Sequence, residues 1–422
     1  EGLEASSQNC WPSVNFDIGG INNAISAFLP AGFYYKTFMW PASFWEKYEY
    51  FIRHSAGLGK SPTEKDPDIY DHRNIHCDVL VVGAGISGIL AAKNAAKNNF
   101  KTLLVDEKNE LGGATIYQNR EFNKINNQSS SDWIKKEIQE LRNIKNLEIK
   151  TRTSVAAYHG YNYLLARENL TDHLEKKDKQ GKIRQRLLKI RAKKVILATG
   201  ALERPLIFNN NDRPGIMLSS AIKKYADFYG VVSGKKNIFF TNNDSAYESA
   251  LCLHNKGIKV EAVIDIREKS DSNIVKVVEK TGITIHWSHT IVDTKGYKKL
   301  NSISVMKLSN DGLSVTGNKI DISCDCLGVA GGWTPAVHLF TQSGGKLTFD
   351  ENDKVFLPNK YPSDQLSVGS CNGDFKIKAI INNLSTNLKK FLNIEKTDFD
   401  NLSVDSEEEN SKRNIWLLPS DK

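Results

Sequence analysis

The chain has 422 residues, with 57 Lys and Arg against 49 Asp and Glu for a net charge of +8, and an ordinary globular composition of 40 % hydrophobic and 25 % charged residues. The length predicts roughly three structural units rather than one small domain, and the composition excludes disordered, collagenous and coiled-coil classes. The modest basic excess does not imply nucleic acid: its densest run, Lys182 to Lys194, alternates with Ile183, Leu187 and Ile190 and reads as a solvated hairpin strand.

Residues 1–74 show no clear period and read as an aromatic-rich extension and linker. Between Phe28 and Phe51, 24 residues hold 11 aromatics, interrupted by Pro30, Gly32 and Pro41, so no single long helix is expected before about Ser43. Such a segment packs across its own domain or forms a subunit or cofactor interface, where Tyr and Trp are favoured. Lys60 to Asn74 is polar, carries two prolines and reads as a linker. The first residue is Glu1 rather than Met, which reads as a fragment or processed chain, and no signal peptide opens it.

From Cys77 the run CDVLVVGAGISGILAAKNAAKNNFKTLLVDEKNELGG gives a buried strand, a glycine turn, an Ala-rich helix and a second strand, Thr102 to Val105. This is a βαβ unit. An amphipathic helix follows at Ser129 to Asn146, then a strand at Leu147 to Thr151, an irregular hairpin region to Lys194 and the strand KKVILATG ending at Gly200. A second α/β block is predicted from about Phe208, with helices at Ser219 to Phe228 and Ser245 to Asn255 and strands at Asn237 to Thr241 and Lys259 to Asp265. The chain then returns to strand and turn through DCLGVAGGWTPAVHLF and VGSCNG, and beyond about Thr397 it reads as a linker.

Gly83-Ala84-Gly85-Ile86-Ser87-Gly88 matches G-x-G-x-x-G in full context, between a strand and a helix, with Asp106 ending the next strand 18 residues after Gly88. The glycines permit the tight turn and the approach of backbone to a pyrophosphate on the positive end of the helix. An acid at position 106 accepts ribose hydroxyls but repels a 2′-phosphate, which favours NAD or FAD over NADP. Gly112-Gly113 and Ala198-Thr199-Gly200 resemble later turns of the two-dinucleotide-binding-domain flavoproteins.

Three departures narrow this reading. Ala114-Thr115-Ile116-Tyr117 follows Gly113 and no C-x-x-C exists, which excludes dithiol chemistry. The superfamily's late Gly-Asp motif is represented by Val368-Gly369-Ser370-Cys371-Asn372-Gly373, without the acid, so a flavin loses a partner and NAD gains weight. In the second block Thr241 to Ala246 replaces every glycine of a second fingerprint, and a second dinucleotide is not expected.

Six scattered cysteines, Cys10, Cys77, Cys252, Cys324, Cys326 and Cys371, lack the density of a secreted disulfide scaffold, which predicts a reducing, cytoplasmic setting. Cys324-x-Cys326 has no second pair to complete a metal site and reads as two buried small residues. The most continuous apolar run, after Asp78, is too short to span a membrane. His54, His72, His76, His159, His286, His289 and His338 could all act as acids or bases, but none sits in a recognisable catalytic constellation, and no catalytic residue is assigned.

Together, PAGFYYKTFMWPASFWEKYE, HCDVLVVGAGISG, IRAKKVILATGALERPLIFNNNDRPGIMLSSA, FTNNDSAY and GGWTPAVHLFTQSGGKL resemble the α subunit of the heterotetrameric sarcosine oxidase family. The resemblance implies a central portion of such a subunit, without its upstream small domain and downstream folate-binding domain. It implies a two-domain Rossmann-type α/β fold holding non-covalent NAD, an FMN shared at an interface with a β subunit, an FAD on the β subunit and further small subunits. The implied reaction takes sarcosine to glycine, reduces O2 to H2O2 and passes the one-carbon unit to tetrahydrofolate or formaldehyde; the isolated chain would be inactive. It further implies that Asp106 and Glu107 hold the ribose, that Lys108 lies beside the adenosine and that Ala84 faces the pyrophosphate. Ala114 would follow the Gly-Gly turn, Val155 would meet the adenine through its backbone and Ser370 would close the site.

The expected organisation is a discontinuous NAD-binding domain, 75–207 plus 325–396, around a nucleotide-degenerate domain, 208–324, with a linker at 397–422. The expected cofactor-binding set is Gly83, Ala84, Gly85, Ser87, Gly88, Asp106, Glu107, Lys108, Gly113, Ala114, Val155, Thr199, Gly200 and Ser370. Two other functions remain open: a self-contained FAD- or NAD-dependent oxidoreductase, and a noncatalytic scaffold with a vestigial nucleotide site.

Overall fold

The computed structural model describes residues 10–13, 16–21, 32, 38, 40–57, 63–117, 123–362, 364–406 and 412–421. The chain divides into two units, 1–68 and 69–422. In the first, helix α1 (Trp45–Ser55) follows a short 3-10 turn after Pro41, and the rings of Phe38 and Phe44 lie 5.2 and 6.1 Å from that of Tyr48. Phe33, Tyr34 and Tyr35 of the aromatic segment lie outside the described residues.

The second unit begins with strand β1 (Ile69–Val82). Its last residues, Val79 to Val82, are buried on both faces, as a continuous apolar run in a central parallel strand requires. The turn at Gly83 leads into helix α2 (Ile86–Lys97), and β2 (Thr102–Val105) returns beside β1. Helix α3 (Ser130–Leu141) is capped by Ser129, whose hydroxyl accepts from the Asp132 amide. It is tied to α2 by Lys93, a buried cation whose ammonium lies 2.7 Å from Glu137 and 2.6 Å from Glu140. Strands β3 (Leu147–Lys150), β4 (Thr153–His159), β5 (Tyr163–Asn169) and β6 (Ile183–Leu197) complete the main body of the first sheet, in the order β3-β2-β1-β6-β5-β4.

The sheet corrects two expectations. Ile69 to Asn74 is not linker: it pairs in parallel with Ile183 to Lys189, because the Arg186 guanidinium grips Asp71 through two hydrogen bonds, at 2.7 and 3.0 Å, inside the sheet. The basic run Lys182 to Lys194 does pair antiparallel with the preceding strand, but it is half-buried rather than solvated and does not end before a separate strand. It forms the continuous strand β6, parallel to β1 and antiparallel to β5, with Arg186, Leu188, Ile190 and Ala192 buried on one face. Period-2 alternation of cations with apolar residues belongs to a half-buried strand in either setting.

A two-stranded connector, β7 (Ala201–Glu203) against β16 (Trp333–Pro335), leads into and out of the second sheet. That sheet consists of β8 (Ile216–Leu218), β9 (Asn237–Thr241), β10 (Val260–Asp265), β11 (Thr284–Trp287) and β15 (Cys326–Ala330), all parallel in the order β8-β15-β9-β10-β11. Helices α4 (Ser219–Asp227), α5 (Ser245–Asn255) and α6 (Asn273–Lys280) accompany it, and β12 (His289–Lys295), β13 (Ser302–Leu308) and β14 (Val315–Ser323) form an antiparallel sheet. The expected boundary at 324/325 therefore falls one strand early: β15 is buried at every position and fills the slot between β8 and β9. Cys324 and Cys326 are buried there, which pushes both thiols up to about 12.

After β16 the chain passes through α7 (His338–Gln342) and the hairpin of β17 (Lys346–Asp350) and β18 (Val355–Lys360). It rejoins the first sheet as β19 (Gln365–Ser367) beside β6, and α8 (Ile377–Leu392) packs in the same core as α2. Residues 397–422, expected as a linker, are structured where described: Val404–Ser406 pairs with Asn123–Ile125, and 412–418 lies on the second sheet. Among the described residues no helix is long and apolar enough to cross a membrane.

Arg186 is about nine-tenths buried against Asp71 and faces Glu168 at 3.7 Å. Glu168 also keeps Lys150 at 2.9 Å, so Arg186→Ala removes chiefly the two hydrogen bonds to Asp71 and should lower the urea-unfolding midpoint without abolishing folding. A urea-unfolding midpoint equal to that of the wild type would contradict this.

Candidate dinucleotide site

Helix α2 can begin directly over the end of β1 only because no side chain stands at two positions. A Cβ on Gly88 would fall 1.8 Å from the Gly83 carbonyl oxygen, and one on Gly83, which has φ +99°, would fall 2.3 Å from the Ala198 oxygen. A Cβ on Gly85 meets nothing within 4 Å, so the outer face of the turn is open where a pyrophosphate would lie. The first-turn amides of α2 have no helical partner and point toward that face.

Asp106 sits one residue past β2. Its Oδ2 accepts the Ala84 amide at 2.6 Å and its Oδ1 accepts the Lys108 amide at 2.8 Å. The acid therefore fixes both the glycine turn and its own loop, and each oxygen keeps a further lone pair for a hydroxyl donor. Glu107, Lys108 and Ala114 are exposed beside it. Gly113 comes in from the next turn, its Cβ direction ending 2.9 Å from the Gly85 Cα, while Gly112 donates its amide to the Ala84 carbonyl at 2.7 Å. The start of β4 is held to the Asp106 loop by Thr153 N to Asp106 O and Arg152 N to Lys108 O, both 2.8 Å; half-buried Val155 stands two residues farther along.

Thr199 and Gly200 follow β6 past the same sheet end, Thr199 donating its hydroxyl to the Ala336 carbonyl at 2.7 Å. The late motif arrives over the start of α2: a Cβ on Gly369 would fall 2.1 Å from the Ser87 Oγ, with Ser370 next in the chain. The nearest acid to this motif in sequence is Asp374, which the sequence reading passed over. Its Oδ1 accepts from Asn383 of α8 at 2.6 Å, and burial raises its pKa against the hydrogen bonds from Asn383 and Asn372. That carboxyl is engaged by the helix. Signal for it existed in the Gly373-Asp374 pair directly after VGSCN.

The second sheet repeats the plan with its acid consumed. Asp265 ends β10 much as Asp106 follows directly on β2, and the signal was present in AVIDIRE beside LLVDEK. Yet Asp265 is fully buried, accepts the Tyr247 hydroxyl at 2.8 Å and pairs with Arg267 at 2.7 Å. Burial of Arg267 opposes its charge, but the bonds to Asp265 and Asp244 raise its pKa further. Of the histidines, His54, His72, His76, His159 and His338 are exposed; His286 and His289 lie with ring centres 5.6 Å apart, and burial lowers the pKa of His286. Among the described residues no group of three His, Cys, Asp or Glu could hold a metal.

These features define a nucleotide-binding oxidoreductase fold with one intact glycine turn and one altered one. A family model described as pyridine nucleotide-disulphide oxidoreductase matches residues 77–361, and the chain belongs to that family. It is similar to the sarcosine oxidase subunit alpha of Rhizobium meliloti (strain 1021), 39 % identical over 361 residues, covering 85 % of this chain and 34 % of that one. It is also similar to the subunit alpha from Corynebacterium sp. (strain P-1), at 37 % over 321 residues, 76 % of this chain and 33 % of that one. The chain spans about a third of the length of these curated relatives. Among solved structures, L-proline dehydrogenase from P. horikoshii has the same fold, with TM-score 0.56 at 19 % identity over 80 % of this chain and 61 % of that one.

Glu203, another residue the sequence reading missed, lies at the connector and accepts the Ser220 amide at 2.9 Å at the start of α4. Burial pushes its pKa up to about 7, against hydrogen bonds from Ser220 and the charge of Lys223. Because the folded state binds this proton more tightly than the unfolded one, the stability it contributes is full below the ordinary value of 4.5 and is lost as pH rises through about 7. Glu203→Gln keeps an acceptor and never ionises. It should be more stabilising relative to wild type at pH 8 than at pH 5, by about 2 kcal/mol; parallel urea midpoints at the two pH values would contradict the assignment.

Proposed function

We propose that this chain is the NAD-binding portion of the α subunit of a heteromeric sarcosine oxidase. The observation that carries the reading is the pairing of an open glycine turn, held by Asp106, with a late motif in which Ser370 stands where a flavin site needs an acid and Asp374 is turned to α8. A pyridine nucleotide needs no carboxylate there, so NAD fits better than FAD. Absence of a C-x-x-C pair separates the chain from the disulfide-reducing branch of its family.

In this reading the amides of Ile86, Ser87 and Gly88 hold the pyrophosphate at the positive end of α2, and Gly85 leaves it room. Asp106, with Glu107, accepts the ribose hydroxyls, Lys108 and Ala114 border the adenosine, the Val155 backbone meets the adenine, and Thr199, Gly200 and Ser370 line the remaining side. Bound there, NAD would supply a nicotinamide ring able to exchange a hydride, while the net reaction below delivers its electrons to O2. Amine oxidation belongs to FAD on a β subunit, with FMN at the interface of the two: sarcosine, O2 and water give glycine, formaldehyde and H2O2, unless tetrahydrofolate takes the one-carbon unit. The chain alone is inactive in this account, and its setting is the cytoplasm. The domain division proposed with it is an NAD-binding domain built on the first sheet and interrupted by the second.

Asp106→Ala should remove charge-assisted hydrogen bonds worth roughly 1.5–3 kcal/mol, weakening NAD+ by one to two orders of magnitude. Calorimetric titration showing equal NAD+ affinity in mutant and wild type would refute the role of Asp106. Trp40 and Trp45 are exposed, and with Phe38 and Phe44 we assign them to the β-subunit contact. The double replacement by Ala should reduce co-purification of that subunit severalfold, since buried aromatics dominate interface energies; full retention would remove the segment from the interface.

A further inference from the structure

In an open parallel sheet, ligands bind just beyond the carboxyl ends of the strands. In the second sheet the three central strands β15, β9 and β10 end at Ala330, Thr241 and Asp265. The residue after each of them, Gly331, Asn242 and Ile266, is bonded to the chain's own segment 412–418. The Trp416 indole N–H donates to the Gly331 carbonyl at 2.6 Å. The Arg413 amide donates to the Asn242 carbonyl at 3.0 Å, and the Asn242 side-chain amide donates to the Ile415 carbonyl at 3.4 Å. The Arg413 guanidinium donates to the Ile266 carbonyl at 2.7 Å and to the Ser309 and Asn310 carbonyls at 3.0 and 2.6 Å.

We infer that this crevice has become a clamp for a peptide bearing Arg and, three residues on, Trp, with a tight turn between them closed by the Ile415 amide on the Arg413 carbonyl at 2.8 Å, and that Lys412–Leu418 is its standing occupant. The inference rests on the second sheet alone and does not depend on the NAD reading of the first. The altered turn and the docked segment meet at Asn242, whose carbonyl and side-chain amide pair with the Arg413 N–H and the Ile415 carbonyl, where a glycine turn would leave room for a pyrophosphate. The segment is closed in from the other side as well. Ile207 donates its amide to the Trp416 carbonyl at 2.7 Å and accepts from Leu418 at 2.9 Å, and the Arg204 guanidinium lies 4.1 Å from the Trp416 ring centre. Gly331 is needed for this fit, since a Cβ there would stand 3.1 Å from Trp416 Cδ1 and 2.9 Å from two carbonyl oxygens. What remains of the crevice is a cleft of about 80 Å³ between Arg204, Asn243, Gly332, Trp333 and Trp416, too small for a dinucleotide.

The test uses the full chain and the double variant Arg413→Ala, Trp416→Ala, titrated calorimetrically with a synthetic peptide of residues 411–420. The variant should bind one peptide per chain, and the wild type, whose clamp is already filled, should bind it at least about ten-fold more weakly. The same peptide with Trp replaced by Ala should not bind the variant. Equal binding to both chains, binding to neither, or uptake of a second NADH per chain by the variant would overturn the inference, the last by showing a nucleotide crevice merely covered. Should the variant fail to fold, hydrogen exchange on the wild type decides: the amides of Ile207, Arg413 and Leu418 should exchange at least about a hundred-fold more slowly than free peptide, and unprotected amides would overturn the clamp.

Discussion

The close approach of α2 to the ends of β1 and β6 is the constraint on which the candidate site depends. With Gly88 against the Gly83 carbonyl and Gly83 against that of Ala198, the helix start is pressed onto the sheet and its unpaired amides are delivered to the sheet edge. Asp106 then acts from the neighbouring strand, holding the Ala84 amide and so fixing the turn from outside. A side chain at either glycine would push helix and sheet apart, and the loops gathered over the turn, from 106–113, 198–200 and 368–370, would lose their common floor.

The two parallel sheets show what the same plan does under different side chains. In the first, the acid after β2 has free lone pairs and the helix start is clear. In the second, the acid ending β10 is neutralised by Arg267 and covered by Tyr247, and the turn after β9 carries Asn242 and Asn243. A buried carboxylate paired in this way organises the sheet edge but is not available to a sugar hydroxyl. Topology alone, therefore, does not make a nucleotide site; the state of the acid and the bulk at the turn decide.

Much of this was legible in the sequence, because the governing signals are local. The glycine spacing, the apolar run before it and the acid 18 residues after it placed the βαβ unit, and the apolar strand NIFFT and the helix from Ser245 placed the second sheet's centre. What was not legible depended on distant partners. Ile69 to Asn74 is polar and becomes strand by pairing with residues 183–189, more than a hundred residues away, with Arg186 holding Asp71. Cys326 to Ala330 could belong to either sheet until its neighbours β8 and β9 are known. The raised pKa of Glu203 and the docking of Arg413 and Trp416 arise from burial and carbonyl geometry that no spacing encodes.

The central claim is that the intact turn holds a pyridine dinucleotide rather than a flavin. Denaturing the purified chain, then identifying the released small molecules by mass spectrometry and absorbance, tests it most directly. The account predicts a single colourless species, NAD+, at up to one per chain. A stoichiometric flavin released from the chain in the absence of any partner subunit would contradict it.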